Sequence, residues 1–331
     1  MSELPLTLRN IEQAAKRIEP YITRTPLLRA VNLDDDLGAK IYIKPEMLQL
    51  TGSFKIRGAL NKALSLTPEE REHGIICSSS GNHAQACAYV GQLLGIKSTI
   101  VVPEDAPQIK IENTRKLGGN VITWERSYAS RMKKVSDEIA EYHYTMVHGY
   151  EDYSVMAGQG TIAIEILEDL PTVDTVIVPL GGGGLSAGIA TAIKETNRNI
   201  RVIAVQAAAT CAFYVSRQVG EKTRVECTPT IADGIGCSYP SDNPYPYIEK
   251  YIDEIVIVEE KEIIQATALI AHDVKLIAEP TSCVVVAALL ANKVKIRSDE
   301  KIALVLTSGN WDLDSLGKIY KGEEVKGHVA T

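Results

Sequence analysis

Short runs of β-branched and aliphatic residues alternate along this chain with longer stretches whose apolar positions recur every three or four residues. KIYIK (40–44), GIICS (74–78), STIVV (98–102), NVITW (120–124), TMVHG (145–149), TVIVP (175–179), IRVIAVQ (200–206) and KIALVLT (301–307) read as strands. The periodic stretches predict helices over 53–66, with Ser53 near its cap, and over 83–94, 107–117, 128–141 and 155–169. Further helices follow from 185, over 261–276 and over 282–293. Apolar strands separated by helices imply parallel sheets covered on both faces, a doubly wound α/β architecture. The Pro- and Tyr-rich CSYPSDNPYPY (237–247) reads as a surface loop, either simply packed or with tyrosines lining an entrance.

Composition narrows the function. With 331 residues there is ample chain for one large or two medium domains. Lys and Arg number 35 against 42 Asp and Glu, so no basic excess points to nucleic acid. No apolar stretch approaches ~20 residues, which argues against a membrane span. The first residues show no secretory signal pattern, and the six cysteines form no C-x-x-C pair. Buried free thiols in a reducing, cytoplasmic setting are therefore expected.

Three loops at carboxyl ends of strands carry the candidate chemistry, where open α/β sheets place ligands. Gly181, Gly182, Gly183 and Gly184 lie between strand 175–179 and the helix that follows. Glycines let backbone N–H groups approach an anion, and the helix start adds a favourable field, so the segment reads as a phosphate cradle rather than only a tight turn. A nicotinamide site would want Asp or Glu at the end of the next strand, which ends Val205-Gln206-Ala207. There is no G-x-x-x-x-G-K-[ST] motif either, so a cofactor with a single phosphate fits better. The second loop, Ser78-Ser79-Ser80-Gly81-Asn82-His83, offers hydroxyls and backbone donors suited to a carboxylate. In the third, Lys55 stands between Phe54 and Ile56; a lysine in apolar surroundings loses its proton more easily and becomes a nucleophile.

These segments, with Gly158–Glu165 (GQGTIAIE), Ile231–Gly234 (IADG), Glu279-Pro280-Thr281 and Thr307–Asn310, resemble fold-type II pyridoxal-phosphate enzymes. The branch they resemble is that of threonine/serine dehydratases and serine racemase. The blocks span nearly the whole chain in family order. The resemblance implies a tryptophan-synthase-β-like fold: a large domain of residues 1–72 and 149–331, a small domain of 73–148, and pyridoxal 5'-phosphate in the cleft. By resemblance Lys55 is the Schiff-base lysine, Phe54 its neighbour beside the ring, and Asn82 the partner of the pyridoxal 3'-oxygen. The four glycines with Leu185 hold the phosphate, and Thr307 faces the pyridine nitrogen. Ser79, Ser80, Asn82 and His83 take the substrate carboxylate. The implied reaction removes water and ammonia from a β-hydroxy amino acid such as L-threonine or L-serine, leaving a 2-oxo acid. A non-catalytic metabolite-binding protein is the less favoured reading.

Departures from the family pattern matter. Dehydratases commonly read S-A-G-N-H, whereas Ser80 here is the residue that serves racemases as acid/base, so racemisation is the alternative activity. Racemase-like members also carry a Glu and an Asp for a divalent cation where this chain has Gln206 and Ala212, so no metal is expected. Thr281-Ser282-Cys283 and Ser308 stand where smaller residues are usual. Few residues follow Asn310, so no regulatory domain is expected there, and a homodimer or homotetramer is expected by resemblance. His148 reads as a satisfied loop histidine, and Asp233 as a residue orienting the loop that faces the substrate.

Overall fold

In the computed structural model, which describes residues 4–327, the described strands form two sheets. They are β1 (Leu28–Arg29), β2 (Lys40–Pro45), β3 (Ile75–Ser78), β4 (Ser98–Pro103), β5 (Asn120–Trp124), β6 (Thr145–Met146), β7 (Thr175–Pro179), β8 (Arg201–Ala207), β9 (Glu254–Val258) and β10 (Lys301–Leu306). The larger sheet has the order β1-β2-β10-β7-β8-β9 and the smaller β5-β4-β3-β6. Every pairing is parallel except β1 with β2. This is the fold-type II α/β architecture expected. Leu306 pairs with Pro45 and Pro179 with Val205, so the carboxyl ends of the central strands finish level and the loops leaving them meet.

The strands are long enough only to cross the core, and β7 is buried along its whole length. Helices cover both faces of each sheet. The helix Lys55–Leu64 lies against Tyr153–Asp169 at glycine contacts: a Cβ on Gly158 would stand 2.5 Å from the Arg57 carbonyl oxygen. Backbones can approach that closely only where side chains are missing. Arg57, fully buried, donates from Nε and Nη2 to Glu46 at 2.7 and 2.9 Å, and from Nη1 and Nη2 to Glu165 at 2.6 and 2.9 Å. Lys44 joins Glu165 at 2.5 Å. Two cations and two carboxylates thus neutralise one another around Arg57, two residues after Lys55 on the same helix, and paired burial is the condition under which such charges are tolerated.

Four expectations need correction. Ser53 does not cap the helix: Phe54 occupies the cap position, and Ser53 instead bridges to Ser308, with its hydroxyl buried. The strand at 145–149 pairs only through Met146, because the carbonyls of Val147 and Gly149 turn to the side chains of His83 and Lys55. The 261–276 helix is Glu260–Leu269 continued by a π-turn over Ile270–Val274. The 237–247 segment is not a loop throughout: the helix Tyr245–Tyr251 starts inside it, and Tyr247 is wholly buried, its hydroxyl accepting the Leu6 N–H. Strands β1 and β9 and the helix Leu8–Ile18 are not among the expected elements. The helix buries Ile11, Ala14 and Ile18, the i, i+3, i+7 stripe of an amphipathic helix, whereas β1 is two residues long and defined by its pairing with β2.

Candidate active site

Lys55 opens the helix Lys55–Leu64. The segment before it is fixed by backbone bonds to the end of the chain: Phe54 N–H to the Thr307 carbonyl at 2.9 Å, and Gly309 N–H to the Gly52 carbonyl at 3.0 Å. The amine donates to the Gly149 carbonyl at 3.0 Å and lies 5.0 Å from the Phe54 ring centroid. Desolvation is the main reason its pKa is pushed down to about 8. A reactive amine in an apolar wall is therefore present.

One residue beyond Gly149, the Tyr150 ring covers the glycine loop. A Cβ on Gly182 would lie 2.6 Å from that ring, and one on Gly184 would lie 2.8 Å from the Tyr150 Cα and carbonyl oxygen. Gly183 has φ +93°. The helix Gly184–Thr196 begins here with no capping side chain, so its first amides are available to an anion. Leu185 is buried in the first turn. His148 orients this corner: its Nδ1 accepts N–H bonds from Tyr150 and Glu151 at 3.3 and 3.0 Å. Desolvation, then the Lys55 charge, push its pKa down to about 4. This is the satisfied loop histidine expected.

The serine loop follows β3. Ser79, Ser80, Gly81 and Asn82 are half-buried and start the helix Asn82–Leu94. His83 is buried, with Nε2 2.8 Å from the Val147 carbonyl. Desolvation and Lys55 push its pKa down to about 3, keeping it neutral. Asn82 donates to Glu279 at 3.0 Å and accepts from the Asn310 amide at 2.8 Å, while Asn310 N–H also donates to Glu279 at 3.0 Å. Burial raises the Glu279 pKa. At the third wall, Ser282 Oγ accepts the N–H groups of Thr307 and Ser308 at 3.1 and 2.9 Å and lies 2.9 Å from Thr307 Oγ1.

Direct contacts tie these segments together: Lys55 to Gly149, Tyr150 to Gly182 and Gly184, Phe54 to Thr307, and Asn82 to Asn310. A family model described as pyridoxal-phosphate dependent enzyme matches residues 18–308. The chain belongs to this family. An L-threonine ammonia-lyase of Thermotoga maritima is 41% identical over 325 residues, covering 97% of this chain and 80% of the relative. A solved threonine deaminase from the organism abbreviated T.th. superposes with a TM-score of 0.87 at 36% identity, covering 92% of this chain and 99% of that one. The serine racemase of Dictyostelium discoideum does so with 0.88 at 35%, covering 93% and 99%.

The residues fit the pyridoxal phosphate this family uses. A desolvated amine, an uncapped helix start and a loop in which side chains have no room meet the needs of an aldehyde and a phosphate. The two positions at which the resemblance would look for cation-binding carboxylates do not fit a divalent cation. The Gln206 amide is consumed, accepting from Tyr214 N–H at 2.8 Å and donating to the Thr210 carbonyl at 3.3 Å, and Ala212 offers only a methyl. Sequence reasoning missed Tyr150, the Glu279–Asn310 latch and Arg131. Arg131 is buried beside the serine loop, donating to Ser78 Oγ at 3.3 Å, with no carboxylate in ion-pair distance among the described residues. Its run Ser-Arg-Met-Lys-Lys reads as a solvated helix face, so no signal marked it.

Proposed function

We propose that this enzyme is a β-hydroxy amino acid ammonia-lyase acting on L-threonine or L-serine and giving a 2-oxo acid and ammonia. The observation that carries the reading is the desolvated Lys55 amine against the Gly149 carbonyl, one residue from the tyrosine that shapes the glycine cradle. Bound pyridoxal phosphate supplies the electron sink that makes the substrate Cα–H acidic. Gly181–Gly184 and Leu185 would hold its phosphate, Asn82 its 3'-oxygen, and Phe54 would flank its ring. Ser79, Ser80, Asn82 and His83 hold the substrate carboxylate. Lys55 takes the Cα proton; its pKa near 8 leaves enough neutral amine at ordinary pH to act as base.

Thr307 would face the ring nitrogen. Both lone pairs of Ser282 Oγ are used by backbone N–H groups, so the Thr307 hydroxyl keeps its proton free for that nitrogen. A donor there leaves the nitrogen unprotonated and the sink weak, which favours loss of the β-substituent over reactions needing a longer-lived carbanion. Racemisation is the second reading, favoured by Ser80 and by the similarity to a serine racemase. The reading further divides the chain into a large domain (1–72, 149–331) and a small one (73–148), and takes the enzyme as a cytoplasmic homodimer or homotetramer. No helix among the described residues is long and apolar enough to cross a membrane.

Incubation of the enzyme with L-threonine and L-serine, with and without chelator, tests the reading. A 2-oxo acid should dominate over D-enantiomer at a rate indifferent to chelation, and Lys55→Ala should abolish the cofactor–lysine absorption band and lower turnover on the order of 10²–10⁴-fold. Dominant D-product would hand the assignment to racemisation.

A further inference from the structure

Beside the serine loop lies a cluster of which the proposed reaction uses only His83. Cys77 ends in the core from β3, while His83 and Cys87 stand one turn apart on the same face of the helix Asn82–Leu94. Their Sγ and ring-nitrogen atoms all lie within 4.8 Å of one another, and all three residues are buried. Cys87 Sγ is 3.5 Å from His83 Nε2, and the two thiol sulfurs lie within 4.8 Å of each other. All six cysteines are free.

We propose that Cys77, His83 and Cys87 form a binding site for a soft divalent cation, Zn²⁺ or Cd²⁺, whose occupation inhibits the enzyme. Three arguments support it. A tetrahedral zinc with Zn–S near 2.3 Å and Zn–N near 2.0 Å sets sulfur and nitrogen ligands about 3.5 Å apart, which is the Cys87–His83 separation already present. The Val147 carbonyl, 2.8 Å from the same nitrogen, supplies an oxygen donor for the fourth position. The second argument is charge. Two thiols binding M²⁺ release two protons to solvent and leave a site with no net charge, the one arrangement a buried pocket accepts without a large desolvation penalty. The third is the uncommitted second nitrogen: His83 Nδ1 is buried with no partner, so the ring can carry its proton there and free Nε2 for the metal. Thiolate donors select Zn²⁺ and Cd²⁺ over Mg²⁺ and Ca²⁺.

Inhibition follows from position. The metal draws in His83, from the loop that takes the substrate carboxylate, and the Val147 carbonyl, two residues before the Gly149 carbonyl that holds Lys55. The site stands on the geometry of these three residues and does not depend on which substrate is used.

The test titrates chelator-treated holoenzyme with CdCl₂, following thiolate-to-metal absorption in the ultraviolet, and in parallel with ZnCl₂, following turnover. The expected result is one equivalent of Cd²⁺ bound with a thiolate band, and loss of turnover on Zn²⁺ addition that chelator reverses. Cys77→Ala and Cys87→Ala should each retain turnover in metal-free buffer. Each should weaken both effects by at least the about 10–100-fold that loss of even an outer partner costs. Absence of the thiolate band in wild type overturns the proposal. So does inhibition undiminished in both variants, which would assign it to other thiols. Absence of turnover on every β-hydroxy amino acid tried would defeat the functional reading and leave the Cd²⁺ titration standing.

Discussion

The glycine loop and the serine loop occupy equivalent places, each following a parallel strand and opening a helix, yet they are built on opposite principles. Gly181–Gly184 is defined by packing: a Cβ on each glycine would fall within 2.8 Å of a neighbour, from Ile235, Tyr150 or Pro244. The serine loop is defined by polar reach. Gly81 has nothing within 4 Å of its Cβ position, and the loop is held through Asn82, Glu279 and Asn310. On the proposed reading, the first wall is a mould for the cofactor phosphate and the second a polar surface for the substrate.

The largest expected effect strikes the mould. Gly184→Ala sets a methyl against the Tyr150 backbone, which cannot rotate away as a side-chain end could. Overpacking of this kind costs about 1–3 kcal/mol, and here it also displaces the amides at the helix start. We expect the purified variant to lose most of its cofactor, read from the absorption band and by equilibrium dialysis. Full retention would show that the loop yields and that packing does not define it.

A smaller effect is expected where polar bonds hold the wall. Glu279→Ala removes the acceptor shared by Asn82 and Asn310, two groups that keep some access to water, at a cost of about 1–2 kcal/mol. If the loop serves the substrate, this appears as roughly a 5–30-fold rise in KM for threonine, with the cofactor still bound. Glu279→Gln keeps one carbonyl acceptor and should recover most of the loss. A Gln variant as impaired as Ala would mean the carboxylate charge, and not its hydrogen bonds, sets the loop.

These two walls were not equally legible. The tetraglycine, Lys55, the Ser79–His83 run and Thr307 announce themselves because their chemistry is local: consecutive residues do the work. The latch is invisible in the sequence because it is made by residues 197 and 228 positions from Asn82, and an Asn or Glu alone says nothing about its partner. Tyr150 was silent for the same reason, since its role is to fill the space that four missing side chains leave. The parallel sheets were readable because β7, β8 and β10 are apolar on both faces. Strand β9 carries the same signal, since Ile255–Val258 is a β-branched run, and it extends the sheet by pairing with β8. Strand 145–149 was overextended for a functional reason: Val147 and Gly149 spend their carbonyls on His83 and Lys55 instead of on the ladder.

The smallest effect is the sharpest test of the contrast. Gly81 has a negative φ, −111°, and its Cβ position opens onto empty space. Gly81→Ala should therefore leave stability within about 0.5 kcal/mol of wild type, with the narrower unfolded ensemble offsetting part of any loss. Thermal unfolding and the cofactor band should both match the parent. A methyl added to the wall that receives the carboxylate should act on KM alone, with kcat unchanged, because it alters how the substrate is seated and not the lysine that moves the proton. Cofactor loss comparable to that of Gly184→Ala would mean that both loops are moulds, and the division of labour between a fixed phosphate wall and an adjustable substrate wall would have to be abandoned.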